Sequence, residues 1–252
     1  MKLLVLAGTE DGRELAAALM KRGHDILVST LTSYGADLAQ EQGLKVRFGA
    51  MDALSMAELV AGEGFVAIVD ATHPYALQVK EVAKKACAER SIPYLRWQRS
   101  SLDLETNSLI HWAANISTAA HIAAELGQRI LLTTGSNALG EWISLAALKD
   151  KKLFIRVLPT SEVLARCEGL GFRPNQIIAA QGPFSQAWDE AMFKQLRIDV
   201  VIAKESGKVG GTLEKVQACQ RLNIPLVLLK RPVTFDQDSS LYQFIKHLEE
   251  IL

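Results

Sequence analysis

Short apolar runs alternate with stretches of helical periodicity along almost the whole chain. Leu3–Ala7, Ile26–Ser29, Val46–Phe48, Ala67–Asp70 and Tyr94–Leu95 have the length and aliphatic character of buried strands. Helical patterns fill the gaps between them, at Gly12–Arg22, Tyr34–Glu41, Ala53–Ala61 and Ala76–Arg90. In the last, Ala76, Val79, Val82, Ala83 and Ala86 repeat with the period of about 3.6 residues that marks one helix face. A polar, aperiodic stretch, Gln98–Ser108, reads as a linker. A second series follows, with strands at Ile130–Thr133, Leu153–Val157, Ile177–Ala180, Val200–Ala203 and Leu226–Leu229. Its helices are Leu139–Leu148, Glu162–Leu170, Gln186–Leu196, Thr212–Leu222 and a terminal Leu241–Leu252. Such alternation places helices on both faces of a parallel sheet. The expectation is an α/β chain of two Rossmann-like, doubly wound parallel-sheet domains, 1–100 and 101–252, with a cleft between them. Both halves share an R/S-x-x-I-P ending before an apolar strand, at Arg90–Leu95 and Arg221–Leu226, which fits a similar topology in each.

Open sheets of this class bind ligands beyond the carboxyl ends of their strands. The residues after each strand are therefore where chemistry is expected. Gly8-Thr9-Glu10-Asp11-Gly12-Arg13 opens the first helix but is not the G-x-G-x-x-G fingerprint. Its backbone N–H groups, with Arg13 one turn in, suit a phosphate; an ordinary turn capped by Asp11 fits the same residues. The second strand ends in Ser29 and Thr30, with Tyr34 shortly after, where an NAD site carries a carboxylate for the ribose hydroxyls. Without that carboxylate a 2′-phosphate meets no repulsion, which favours NADP as cofactor, although no arginine stands beside these residues in sequence. Asp70-Ala71-Thr72-His73-Pro74 follows the fourth strand, with Pro74 at the helix start and Thr72 or His73 near its cap. His73 titrates near neutrality and can donate a proton, or it is a satisfied loop residue.

In the second half, KESGKVGGTLEK (204–215) sets Gly207, Gly210 and Gly211 between a strand and a helix, with Thr212 placed to cap that helix. Such a loop holds an anionic or planar ligand, or makes a tight turn with solvated charges. Thr133-Thr134-Gly135-Ser136 and Gln181-Gly182-Pro183-Phe184-Ser185 resemble anion or amide cradles, though each also fits a plain turn. Lys204, Lys208, Lys215, Arg156 and Arg231 gather basic charge near the same edge, as a ligand with several carboxylates requires. Each alone reads as a surface charge. Trp97, Trp112, Trp142 and Trp188 are scattered and read as packing.

Composition narrows the field. The chain has 252 residues, 49% hydrophobic, with 28 basic and 28 acidic side chains. Zero net charge argues against a nucleic-acid or polybasic membrane footprint. Cys87, Cys167 and Cys219 lie far apart on helical packing positions, so neither a metal site nor a disulfide framework is expected, in keeping with a reducing cytoplasm. No run approaches the roughly 18 apolar residues of a membrane helix.

Taken together and in order, GTEDGREL near the start, DATHPYA, TTGS, RVLP, QGPFS, KESGKVGGTLEK and IPLVLLKRP resemble the precorrin-6A reductase family of cobalamin biosynthesis, including its cobalt-precorrin-6A members. The resemblance implies an NADPH-dependent hydride transfer to one double bond of a corrin precursor, with a proton completing the reduction. It implies a carboxylate-bearing tetrapyrrole as the substrate and a monomer or small homo-oligomer. It places Gly8, Thr9, Glu10 and Arg13 near the cofactor phosphates, and Ser29, Thr30 and Tyr34 near the adenosine ribose. Asp70, Thr72 and His73 would face the nicotinamide side. Thr134, Gly135, Arg156, Gly182, Ser185, Ser206, Gly211, Thr212, Lys215 and Arg231 would meet the substrate. Lys204, Glu214 and His73 are the candidates for any side-chain acid. Two alternatives stay open on the residues alone: another NADP-linked reductase, although Tyr75 and Tyr94 lack a lysine four positions on, and a two-domain small-molecule binder.

Overall fold

A computed structural model describes residues 1–98, 104, 108–206, 211–231 and 240–252. Most of the linker stretch, together with Gly207, Lys208 and Gly210, lies outside the described residues. The chain divides into two compact units, Met1–Ser100 with Pro232–Leu252, and Ser101–Arg231.

The first unit runs β1 (Lys2–Leu6), α1 (Glu10–Lys21), β2 (Asp25–Thr30), α2 (Ser33–Gln40), β3 (Lys45–Phe48), α3 (Ala53–Glu63), β4 (Ala67–Asp70), α4 (Leu77–Arg90) and β5 (Tyr94–Arg96). Its strands are parallel in the order β3-β2-β1-β4-β5. Alternate residues of β1 serve the two faces. Leu3 and Val5 pack with Leu15 and Leu19 of α1, whereas Leu4 and Leu6 pack with Met56 of α3 and Ala83 of α4. Burial on both faces explains why these strands read as unbroken apolar runs.

The second unit runs β6 (Ile110–Ala113), α5 (Ile116–Leu126), β7 (Arg129–Leu132), α6 (Leu139–Ser144), β8 (Lys152–Val157), α7 (Ser161–Gly169), β9 (Ile177–Ala179), α8 (Gln186–Leu196), β10 (Val200–Lys204), α9 (Thr212–Leu222) and β11 (Leu226–Leu229). The order is β6-β11-β10-β7-β8-β9, again parallel. Counted from β7, this is the order of the first sheet with β6 added beside β11. β6 and α5 are absent from the sequence reading. IHWA is too short and too polar to announce a strand, and α5 buries only the small Ala119, Ala120 and Ala123. The helix expected over Leu139–Leu148 stops at Ser144 and resumes as a 3-10 turn, Ala146–Leu148.

The shared sequence ending marks equivalent corners. α4 stops at Ser91 and α9 at Asn223, both left-handed, with φ of 53° and 55°. Ile92 then donates to the Cys87 carbonyl and Ile224 to the Cys219 carbonyl, closing each helix in the same way. The prolines that follow hand the chain to β5 and β11. Their carbonyls accept from Ile68 in β4 and from Val201 in β10.

The terminal helix α10 (Leu241–Ile251) belongs to the first unit, although the sequence reading assigned everything after residue 100 to the second domain. Its apolar stripe decides this: Phe244, Ile245 and Leu248 join the cluster around Leu15, Leu19 and Trp97. Arg22 clamps Glu249 at 2.9 Å from the other side. Among the described residues no helix is long and apolar enough to cross a membrane.

Leu248 is fully buried in that cluster. Leu248→Ala is expected to lower unfolding stability by about 2–5 kcal/mol. Urea titration followed by far-UV circular dichroism checks this; an unchanged midpoint would detach α10 from the core.

Candidate functional site

Each sheet reverses its winding at one point, between β1 and β4 and between β7 and β10. Helices leave such a pair toward opposite faces, and ligands of this fold class bind at the crevice formed there. Most of the sequence-predicted residues gather at these two edges or beside them.

In the first unit the β1–α1 turn is tight. Thr9, not Asp11, caps α1, its hydroxyl accepting the Gly12 N–H at 3.2 Å. Gly12 lies against the strand ends. A Cβ there would come within 2.8 Å of Ala7 Cβ and 3.0 Å of the Ala71 carbonyl oxygen, so glycine is what lets the helix start approach the sheet. That is the packing role of the third glycine in a dinucleotide fingerprint. Glu10 and Asp11 already place negative charge in the first turn. A phosphate must therefore rely on backbone N–H groups and on Arg13, whose Nε is buried without a hydrogen-bond partner among the described residues.

Sequence reasoning missed a cation beside β2. Parallel pairing sets Arg47 of β3 next to Ser29. Arg47 donates to Ser29 Oγ at 2.8 Å and to the Gly49 and Phe48 carbonyls at 3.0 Å each. Partial burial holds its pKa below the usual arginine value. Thr30 donates instead to the Thr32 carbonyl, and Tyr34 is exposed on α2.

Asp70 ends β4 fully buried. Its Oδ1 accepts from Thr72 N–H and hydroxyl at 2.8 and 2.7 Å and from Arg96 Nη1 at 2.8 Å; its Oδ2 accepts the Tyr94 hydroxyl at 2.5 Å. Arg96 also reaches the Asp70 and Thr72 carbonyls, at 3.1 and 2.7 Å. This carboxylate and the Thr72 hydroxyl shape the loop from inside. His73 follows, its Nδ1 accepting Tyr75 N–H at 3.4 Å, a tautomer that leaves the proton on Nε2. The helix expected to start at Pro74 begins only at Leu77, without a side-chain cap.

In the second unit Thr134 and Gly135 follow β7, and Lys204 ends the neighbouring β10, with Ser206 two residues beyond it. Thr134 is 5% exposed, and its hydroxyl has no partner among the described residues. Burial lowers the Lys204 pKa. Gly211, left-handed at φ 67°, caps α9 in place of Thr212. Thr212 Oγ1 instead accepts Ser206 N–H at 3.1 Å and lies 3.0 Å from Ser206 Oγ, closing the loop base. Arg231 is engaged by Glu205 in a buried ion pair. Ser185 is the cap of α8, accepting Trp188 N–H at 3.3 Å.

Next to this edge lies a buried charge cluster. Arg156 Nη1 donates to Asp189 Oδ1 at 2.5 Å, and Lys215 Nζ donates to the Gly211 carbonyl at 2.8 Å. Desolvation pushes Asp189 up and Arg156 down, each toward its neutral form, so removal from water outweighs their mutual attraction. The Lys215 ammonium is pushed down to about 8, by burial first and then by the like charge of Arg156. Among the described residues no group of acidic, histidine or cysteine side chains is arranged to hold a metal.

The family model described as precorrin-6x reductase CbiJ/CobK matches residues 2–252. A cobalt-precorrin-6A reductase of Priestia megaterium is 37% identical over 231 residues, covering 91% of this chain and 90% of the relative. One from Salmonella typhimurium is 38% identical, covering 91% and 87%. Among solved structures, the CobK precorrin-6A reductase superposes with a TM-score of 0.77 at 25% identity, covering 99% of this chain and 97% of that one. With a match running from the first strand to the terminal helix, this chain belongs to the precorrin-6x reductase CbiJ/CobK family.

Proposed function

We propose that this chain catalyses the NADPH-dependent reduction of one double bond in a precorrin-6A-type macrocycle, metal-free or cobalt-loaded. The observation that carries the reading is membership of the reductase family across 2–252. A nicotinamide cofactor supplies the hydride when bound. Its fit to the first unit rests on the Gly12 approach, the Arg13 Nε that has no partner among the described residues, and the guanidinium held beside Ser29. On this reading Gly8, Thr9, Glu10 and Arg13 surround the pyrophosphate, while Ser29, Thr30, Tyr34 and Arg47 surround the adenosine ribose. Arg47 is the arginine that the local sequence lacks, and its charge suits a 2′-phosphate.

Asp70 and Thr72 hold the β4–α4 loop in shape, and His73 presents a proton on that loop. The second unit takes the macrocycle through Thr134, Gly135, Arg156, Gly182, Ser185, Ser206, Gly211 and Lys215, while Thr212 and Arg231, engaged by Ser206 and Glu205, hold the loop that presents them. A proton completes the reduction, and Lys204 ranks ahead of Glu214 and His73 as its source. Burial brings Lys204 closer to neutral pH, where a general acid is most effective.

Anaerobic incubation with precorrin-6A or its cobalt form should oxidise NADPH and add one hydride to the ring. No oxidation with either substrate would refute the assignment. Arg47→Gln should weaken NADPH binding by about tenfold to hundredfold, the range for hydrogen bonds to charged groups, with NADH binding little changed. Nicotinamide fluorescence titration measures both, and an equal loss for the two cofactors would remove the 2′-phosphate role.

Lys215 has a sign of its own. Below about pH 8 the folded protein bears the full cost of a buried ammonium. As the pH rises toward the ordinary lysine value of 10.5, the folded state releases a proton that the unfolded state keeps, so the Lys215 contribution to stability rises. The buried Cys87 and Cys219 thiols, pushed up to about 11 and about 12, lower stability over the same window whether or not Lys215 is present. Urea unfolding should therefore show wild type gaining on Lys215→Met as the pH rises from about 8 to 10.5; parallel profiles would contradict it.

A further inference from the structure

The Arg156 cluster holds more than packing requires. Arg156 sits at the carboxyl end of β8, 8% exposed, and the bond to Asp189 Oδ1 is its only hydrogen bond among the described residues. A guanidinium has donors on every nitrogen, so most of this one's capacity is unused by the described residues. Asp189 is 1% exposed, and its Oδ2 accepts nothing among the described residues. Such a pair is costly to bury, and desolvation is the largest influence on both of its groups.

Two aromatic rings cover it. The guanidinium carbon lies 4.3 Å from the Phe184 ring centre and 5.7 Å from that of Trp188. The rings stack on each other at 4.2 Å and 23°. Gly182 makes room: a Cβ there would come within 3.1 Å of the Phe184 ring. Trp188 stays 37% exposed in the first turn of α8, a large apolar surface fixed in orientation by the ring behind it. Lys215, also buried, adds a second positive charge that acts on Asp189, partly countered by Glu214.

We propose that Trp188, Phe184 and Arg156 form a subsite for one pyrrole ring of the macrocycle and the carboxylate it carries. The ring lies on the Trp188 indole, the carboxylate takes the unused N–H donors of Arg156, and Asp189 is a positioning residue that holds the guanidinium against Phe184. Stacking an aromatic face on a conjugated ring and binding its anionic arm with a preoriented arginine use both halves of the substrate's chemistry. This rests on the reductase reading, and the test separates the two.

Arg156→Gln, the double variant Arg156→Gln/Asp189→Asn, Trp188→Ala and Trp188→Phe are compared with wild type in anaerobic NADPH oxidation. The double variant leaves no buried unpaired carboxylate, so a folding defect in the single one does not obscure the result. Expected is a rise in KM for the macrocycle of about tenfold to hundredfold in both Arg156 variants, the range for a charged hydrogen bond. Trp188→Ala should raise KM while Trp188→Phe largely restores it, and the NADPH dissociation constant should stay constant throughout. Macrocycle KM values unchanged in the double variant and in Trp188→Ala would overturn the subsite. In parallel, uroporphyrin, a planar carboxylated tetrapyrrole, is titrated against tryptophan emission. Affinity for uroporphyrin that is kept in Trp188→Phe but weakened in Trp188→Ala and in the double variant supports the subsite, and equal affinity in all proteins overturns it. If wild type binds uroporphyrin in this way yet reduces neither form of precorrin-6A, the reductase reading falls and the subsite stands.

Discussion

Parallel pairing of β1 with β4, and of β7 with β10, is the constraint on which the rest of the molecule depends. Crossovers carry the chain outward from β1 to β3 on one side and from β4 to β5 on the other. The helices flanking that reversal, α1 and α4, pack on opposite faces, so the loops between the two strand ends run apart there. The second sheet repeats the arrangement from β7 onward. Function is thus written into loops that the core does not need for its own burial, while Leu3–Leu6, Ile130–Leu132 and Val200–Ala203 beneath them are almost wholly buried.

Charge at these edges is handled in two ways. Asp70 is saturated by Thr72, Tyr94 and Arg96, and the result is a fixed loop. A carboxylate with that many donors loses little by burial and has little left to offer a ligand. Arg156 and Asp189 are the opposite case, a single short hydrogen bond within a site where desolvation drives both groups toward neutrality. Arg231 and Glu205 resemble the first kind: the arginine expected to meet substrate is already held by a buried acid.

Much of the fold was legible before any coordinates. The helices over Gln186–Leu196 and Thr212–Leu222 and the strands Ala67–Asp70 and Leu226–Leu229 match residue for residue, because their periodicity is a local property of apolar side chains. Caps were less legible. Thr9 takes the place expected for Asp11, and Gly211 the place expected for Thr212, because adjacent residues can compete for the same N–H groups and the loop path decides which wins. β6 escaped notice because an edge strand of four residues, half of them polar or exposed, has no periodicity to show.

What the sequence by itself determined is the α/β class, the alternation of strands and helices, the family, and the loops in which polar and glycine residues collect. What only the tertiary structure decided is which side chains meet. Arg47 reaches Ser29 through the register of β3 on β2, eighteen residues away along the chain. Asp189 reaches Arg156 from a helix laid across the sheet, and α10 returns to the first unit because its Phe244–Leu248 stripe fits there. Periodicity is set by neighbours within a turn or two, whereas these partnerships depend on strand register and helix docking, which minimise the energy of the whole core and leave no trace in any one segment.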